Sequence, residues 1–137
     1  LHMKCCDSGL ERRKKASVML HDYLSENHET LHKIIVLGDW NDDTKDAPGQ
    51  HCFQPFLNDD KFYFTTADIS NDLKQASYPK PPYVSFLDHI MVSKALLPKS
   101  ANYNVQTIRV GDFMSGYANY EAFISDHRPV LLSFKYP

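Results

Sequence analysis

The chain has 137 residues, of which 42% are hydrophobic, 12% aromatic and 23% charged, and its net charge is −2. This make-up argues against disorder, collagen-like repeats and coiled coil, and the length suits one domain that can bury a core. No apolar run approaches the roughly 18 residues of a membrane-spanning helix. The slight acidity disfavours a protein that grips nucleic acid by bulk positive charge, but leaves open contact with phosphate through a bound cation.

Leu1 to Cys6 reads as a short strand, and no charged segment followed by an apolar one marks a signal peptide there. Cys5 and Cys6 are adjacent, so on a strand they point to opposite faces. One of them could reach Cys52 and leave an odd thiol; buried free thiols are the equal alternative. Three cysteines at this spacing offer too few ligands for a metal site. Asp7-Ser8-Gly9 supplies turn and cap chemistry. From Leu10 to Glu26 apolar residues recur at helical spacing (Leu10, Ala16, Leu20, Tyr23, Leu24), with Val18 and Met19 widening the stripe. The basic run Arg12 to Lys15 sweeps most of the helix circumference, which favours a solvated face over a phosphate-binding stripe.

Lys33 to Leu37 is an unbroken run with the look of a strand buried on both faces. It stops at Gly38-Asp39-Trp40-Asn41-Asp42-Asp43, and a polar loop follows from Thr44 to Gln50. Phe53 to Asn58 reads as a short helix with Pro55 near its first turn, and Phe62 to Thr66 as a strand. Residues 68–82 read as irregular. Strands are expected over Val84 to Val92, Val105 to Val110 and Pro129 to Phe134, with Gly111 to Phe123 as a loop. Strands alternating with helices or long loops, without repeats or a flexible linker, indicate a layered α/β domain over residues 1–137.

A buried strand carries few polar groups, because an unsatisfied one costs free energy. Polar residues at strand ends are therefore informative, and three places have them: Asp39 with Asn41, Asp88, and Asp126 with His127. Bunched carboxylates either raise a pKa or hold a cation. Hard oxygens with an amide and imidazoles suit Mg²⁺ or Mn²⁺ better than Zn²⁺, with Ca²⁺ also admissible. Taken singly, each place has a bland reading: a turn or cap at Asp39 and Asn41, a satisfied strand acid at Asp88, a capping residue at Asp126.

Together the three segments Gly38-Asp39-Trp40-Asn41, Leu87-Asp88-His89-Ile90 and Ser125-Asp126-His127-Arg128-Pro129-Val130 resemble three successive motifs of the endonuclease/exonuclease/phosphatase superfamily, the DNase I-like fold. His2 resembles the histidine on the strand that opens the second half of that fold. The resemblance covers the second half only. It implies half of a four-layer αββα sandwich, with a mixed sheet and flanking helices. The family's first half supplies an asparagine, a metal-binding glutamate and a carboxylate partner of the first histidine, and none has a counterpart here.

The implied reaction is divalent-metal-dependent hydrolysis of a phosphodiester, nuclease-like, with water attacking phosphorus in line. The implied roles are metal ligation by Asp126 and Asp39, activation of water by Asp39, hydrogen bonding from Asn41 to a phosphoryl oxygen, acid–base work by His127 with Asp88 orienting it, and a phosphate contact by His2. The substrate is a phosphate ester, with nucleic acid first and a phospholipid or sugar phosphate as the alternative. A non-catalytic module is the third reading. It expects association through an exposed apolar sheet face, as a dimer or with an N-terminal half. Secretion or the cell envelope is preferred to the cytoplasm. Trp40 is read as packing. His89, next to Asp88 on a strand, points to the opposite face and stays outside the site. His21, His28, His32 and His51 are read as surface residues. Tyr78, Tyr83, Tyr117, Tyr120 and Phe123 could stack on bases or sugars or pack on the core.

Overall fold

The computed structural model describes residues 1–27 and 29–135, so His28 lies outside the described residues. Among the described residues, five strands and three helices form an α+β arrangement of small antiparallel sheets. Helix α1 spans Leu10–Glu26, as its periodicity predicts, and a 3-10 turn over Asp7–Gly9 leads into it. Its buried residues are Arg13, Ser17 and Leu24, whereas Val18, Met19 and Tyr23 are exposed. The inward stripe is therefore narrower than apolar spacing suggests, and its N-terminal half is polar. Arg13 is only 4% exposed, which overturns the reading of Arg12 to Lys15 as a wholly solvated face.

Strand β1 covers Ile35–Asp39, β2 covers Phe62–Phe64 and β3 covers Asp88–Ser93. They form one sheet in the order β1-β3-β2. Strands β4 (Tyr103–Thr107) and β5 (Val130–Phe134) form a two-stranded antiparallel sheet. All these strand pairs are antiparallel. The expected mixed sheet reduces to one parallel bridge, His2 with Asp39, so the opening residues contribute a bridge and not a full strand. That bridge needs Gly38: its φ is +136°, and a Cβ there would sit 2.0 Å from the Leu1 carbonyl oxygen. Only glycine adopts this conformation without strain and admits the neighbouring backbone.

Side chains alternate across a strand, so the register sorts this sheet into two faces. Val36, Met91, Phe62 and Phe64 face helices α1 and α2 (Gln54–Leu57). There they join Trp40, Phe53, Phe56, Leu24 and Ile34 in the larger core. Trp40 packs edge-on against Phe56 and Phe64 at ring separations of 5.9 and 5.3 Å, the packing role read from sequence. Each such pair adds about 0.5–1.5 kcal/mol beyond area burial. On the opposite face Tyr63, Ile90 and Val92 pack with Leu97 against Tyr103, Val130, Leu132 and Phe134 of the β4–β5 sheet. The result is helices α1 and α2 on one side of the central sheet and a two-stranded sheet on the other.

Three local expectations are corrected. Strand β1 is not buried on both faces: Ile35 is 45% and Leu37 58% exposed, because β4–β5 covers β2 and β3 but not β1. The stretch from Gly111 to Phe123 is not all loop, since α3 occupies Tyr117–Phe123. His51 is buried, with its Nδ1 accepting the Phe53 backbone N–H at 3.1 Å, and His21 is half-buried beside Asp59. His32 is exposed as expected.

Candidate active site

The antiparallel register sets Asp39, the last residue of β1, directly opposite Asp88, the first residue of β3. Both project from the face that carries the β4–β5 sheet, and His127, just before β5, closes on them. His127 Nδ1 lies 2.7 Å from Asp88 Oδ2. One donor atom from each of Asp39, Asp88 and His127 falls within 4.8 Å of the others, a group able to hold a metal ion. His2 Nε2 lies 3.3 Å from Asp39 Oδ2, with the imidazole largely exposed. Thus His2, Asp39, Asn41, Asp88 and His127 converge on one point from four separate segments.

Like charges directly opposite on paired strands destabilise a sheet. Burial, together with the Asp88 charge, pushes the Asp39 carboxyl above its ordinary value, against the backbone N–H of Asn41 that stabilises the anion. The Asp88 hydrogen bond raises the His127 imidazole, reinforced by the charges of Asp88, Asp39 and Asp126 and opposed by burial. A cation between the carboxylates would offset the Asp88 charge, the smaller of the two causes that raise Asp39.

Asn41 occupies a left-handed conformation, φ +53°, at the turn beyond β1. Its backbone N–H donates to Asp39 Oδ1 at 2.8 Å, and its amide donates to Asp39 Oδ2 at 2.7 Å and to the Met3 carbonyl at 3.0 Å. The residue expected to reach a phosphoryl oxygen is thus engaged in orienting Asp39 and tying it to the segment that carries His2. Asp126 lines the same cleft, but its exposed carboxylate is not part of the three-residue group.

Sequence reasoning missed the supports of this cluster. Ser77 is fully buried, and its hydroxyl accepts the backbone N–H groups of Leu87 and Asp88 at 2.9 and 3.0 Å. Its carbonyl accepts the Arg128 N–H at 2.7 Å, so one residue fastens the backbone beside both members of the Asp88–His127 pair. The Tyr78 ring lies 5.1 Å from the His127 ring. Tyr120 donates its hydroxyl to the His127 carbonyl at 2.8 Å, and Tyr117 donates to the Asp126 carbonyl at 2.7 Å. The spacing of Tyr117 and Tyr120, three residues apart, was the available signal for α3. His89 is fully buried, between Thr66 Oγ1 at 2.9 Å and the Asp42 carbonyl at 3.1 Å, and takes no part in the cluster.

The cluster lies in a cleft of about 1120 Å³ that also takes in Tyr78, Tyr83, Asp126 and Lys45. Tyr83 is 75% exposed and free to meet a ligand, whereas Tyr120 is buried against the loop it supports. Among the described residues, no helix is long and apolar enough to cross a membrane. No family model, curated protein or solved structure matches the chain.

Proposed function

We propose that the chain carries the phosphate-cleaving site of a divalent-metal phosphodiesterase, nuclease-like, on half of a DNase I-like sandwich. The observation that carries the reading is the 2.7 Å bond between Asp88 and His127 facing the Asp39 carboxylate across paired strands. Asp88 Oδ2 takes the His127 bond, which leaves the second Asp88 oxygen and the Asp39 carboxylate to hold Mg²⁺ or Mn²⁺. Two carboxylates suit such an ion, which keeps several positions for water and phosphate oxygens. When bound, the ion supplies charge neutralisation at the phosphoryl oxygens and acidifies water.

The chain's own residues do the rest. Asp88 fixes the imidazole through Nδ1, so Nε2 of His127 is the nitrogen presented for proton transfer. Asn41 holds Asp39 in place through both carboxylate oxygens. His2, at the exposed edge beside Asp39, is positioned to contact a phosphate. Asp126 waits on the cleft wall as a further carboxylate.

The test is hydrolysis of plasmid DNA, a chromogenic phosphodiester, a phospholipid and a sugar phosphate, each with Mg²⁺, Mn²⁺ or chelator. Cation-dependent cleavage of the diesters is expected. It should fall about 10²- to 10⁴-fold in His127→Ala, the usual contribution of an acid–base group, and fail in Asp39→Ala. Cleavage left undiminished by chelator or by either substitution would refute the assignment.

A further inference from the structure

The cleft also contains two thiols that the phosphoesterase reading does not use. Cys5 and Cys6 are both exposed, both line the cleft, and their sulfurs lie 2.8 Å apart with the Cys6 S–H donating to Cys5 Sγ. A disulfide bond is about 2.05 Å long, so the sulfurs are already close to bonding distance. On a regular strand neighbouring side chains diverge to opposite faces. Here they converge because Cys6 has φ +70°, a conformation a non-glycine residue adopts only when its surroundings impose it.

Those surroundings are visible. Arg13 Nη1 donates to the carbonyls of Lys4 and Cys6, each at 2.8 Å, and so holds the backbone on both sides of Cys5. The Gly9 N–H adds a second bond to the Cys6 carbonyl at 2.9 Å. Arg13 is itself anchored to buried Asp42 at 2.5 Å. The converged thiols are therefore set by the fold.

We propose that Cys5 and Cys6 form a dithiol–disulfide modification site at the cleft, whose reaction partner is a low-molecular-weight disulfide such as oxidised glutathione. The Cys5 thiolate attacks one glutathione sulfur, forming a mixed disulfide and expelling one glutathione thiolate. Cys6 then gives up its proton to solvent and attacks the Cys5 sulfur, expelling the second glutathione thiolate. Two protein thiols are oxidised to one disulfide while one glutathione disulfide is reduced to two thiols. The hydrogen bond to Cys5 keeps the proton on Cys6, which assigns the first attack to Cys5. Adjacent Cα atoms are about 3.8 Å apart, short of the usual disulfide range, so the eight-membered ring is strained and readily reduced. Cys52 is a bystander: it is buried, and burial pushes its thiol well up.

The test uses the 137-residue chain, reduced and then exposed to oxidised glutathione, with thiol titration of the folded and denatured protein and peptide mass mapping. The inference does not depend on phosphodiesterase activity, since every readout counts sulfur. The titratable thiols of the denatured chain should fall from three to one, and the Cys5–Cys6 peptide should lose two hydrogens with no glutathione attached. Dithiothreitol should restore all three. Cys5→Ser and Cys6→Ser should each stop at one stable glutathione adduct. Wild-type chain that retains glutathione on either cysteine, links to a second chain, or keeps all three thiols would overturn the proposal.

Discussion

Asp88 has a histidine on each of two sides, and the two behave oppositely. His127 shares a hydrogen bond with its carboxylate, which raises the imidazole above the ordinary 6.5. A raised histidine contributes stability that is fully present below that ordinary value and is lost as pH rises through the folded one. Asp88→Asn removes the anion, so the His127 titration followed by NMR in chelator should move to lower pH. The stability lost by the variant should be larger at pH 5 than at pH 9. An unchanged midpoint would mean that the bond carries no charge. His89, the next residue in the chain, is buried among Phe53, Phe64 and Phe86, and burial lowers it to about 4. It must stay neutral to fold, so its contribution is present above 6.5 and declines as pH falls toward 4. At about 1.4 kcal/mol per pH unit between 6.5 and about 4, this amounts to about 3–4 kcal/mol. Urea unfolding between pH 6.5 and 4 should show that slope, flattened in His89→Gln. The period of a strand turns Asp88 and His89 to opposite faces, so the separation of His89 from the cluster was legible before the fold was known. His51, Asp42 and Asp43 were not, because a polar residue becomes buried through a distant partner that local pattern does not encode.

At the scale of elements, the same blindness misread one helix face. The limits of α1 follow from its periodicity and the turn before it, but its inward stripe runs through Arg13 and Ser17. Arg13 joins three segments: the helix, the Lys4–Cys6 backbone and, through Asp42, the loop after β1. Asp42 is equally committed, since its second oxygen accepts the Cys52 N–H at 2.8 Å. Removing one partner of a buried ion pair leaves the other uncompensated and costs about 3–5 kcal/mol, while replacing both with apolar groups is far milder. Arg13→Met should therefore destabilise by about that amount, and Arg13→Met with Asp42→Leu by clearly less, as measured by chemical denaturation. Additive losses would show that the guanidinium acts through its carbonyl bonds alone. Strand β1 was misread for a different reason. An unbroken apolar run states that a strand avoids water, but not whether the chain itself supplies the cover for both faces.

For the molecule as a whole, that uncovered face is the main consequence. Ile35 and Leu37 lie on the same side of β1 as Asp39, so an exposed apolar strip runs along the sheet to the candidate site. The β4–β5 sheet covers the neighbouring strands and stops short of it. Burying a whole aliphatic side chain contributes about 1.5–3 kcal/mol. These two are about half exposed, so covering them gives roughly 1 kcal/mol each, or roughly 4 kcal/mol across a symmetric pair. Association itself costs about 4–15 kcal/mol, so two copies meeting only through this strip do not form a tight dimer. A partner that extended the sheet as well would gain backbone hydrogen bonds along β1, whose outer edge meets the opening segment at a single bridge. Sedimentation velocity should accordingly find a monomer at micromolar concentration and weak self-association only near the millimolar range. Leu37→Lys should abolish that association while leaving the melting temperature nearly unchanged, because the residue already faces solvent. A stable micromolar dimer that persists in Leu37→Lys would locate self-association elsewhere on the molecule and leave this strip without a role in assembly.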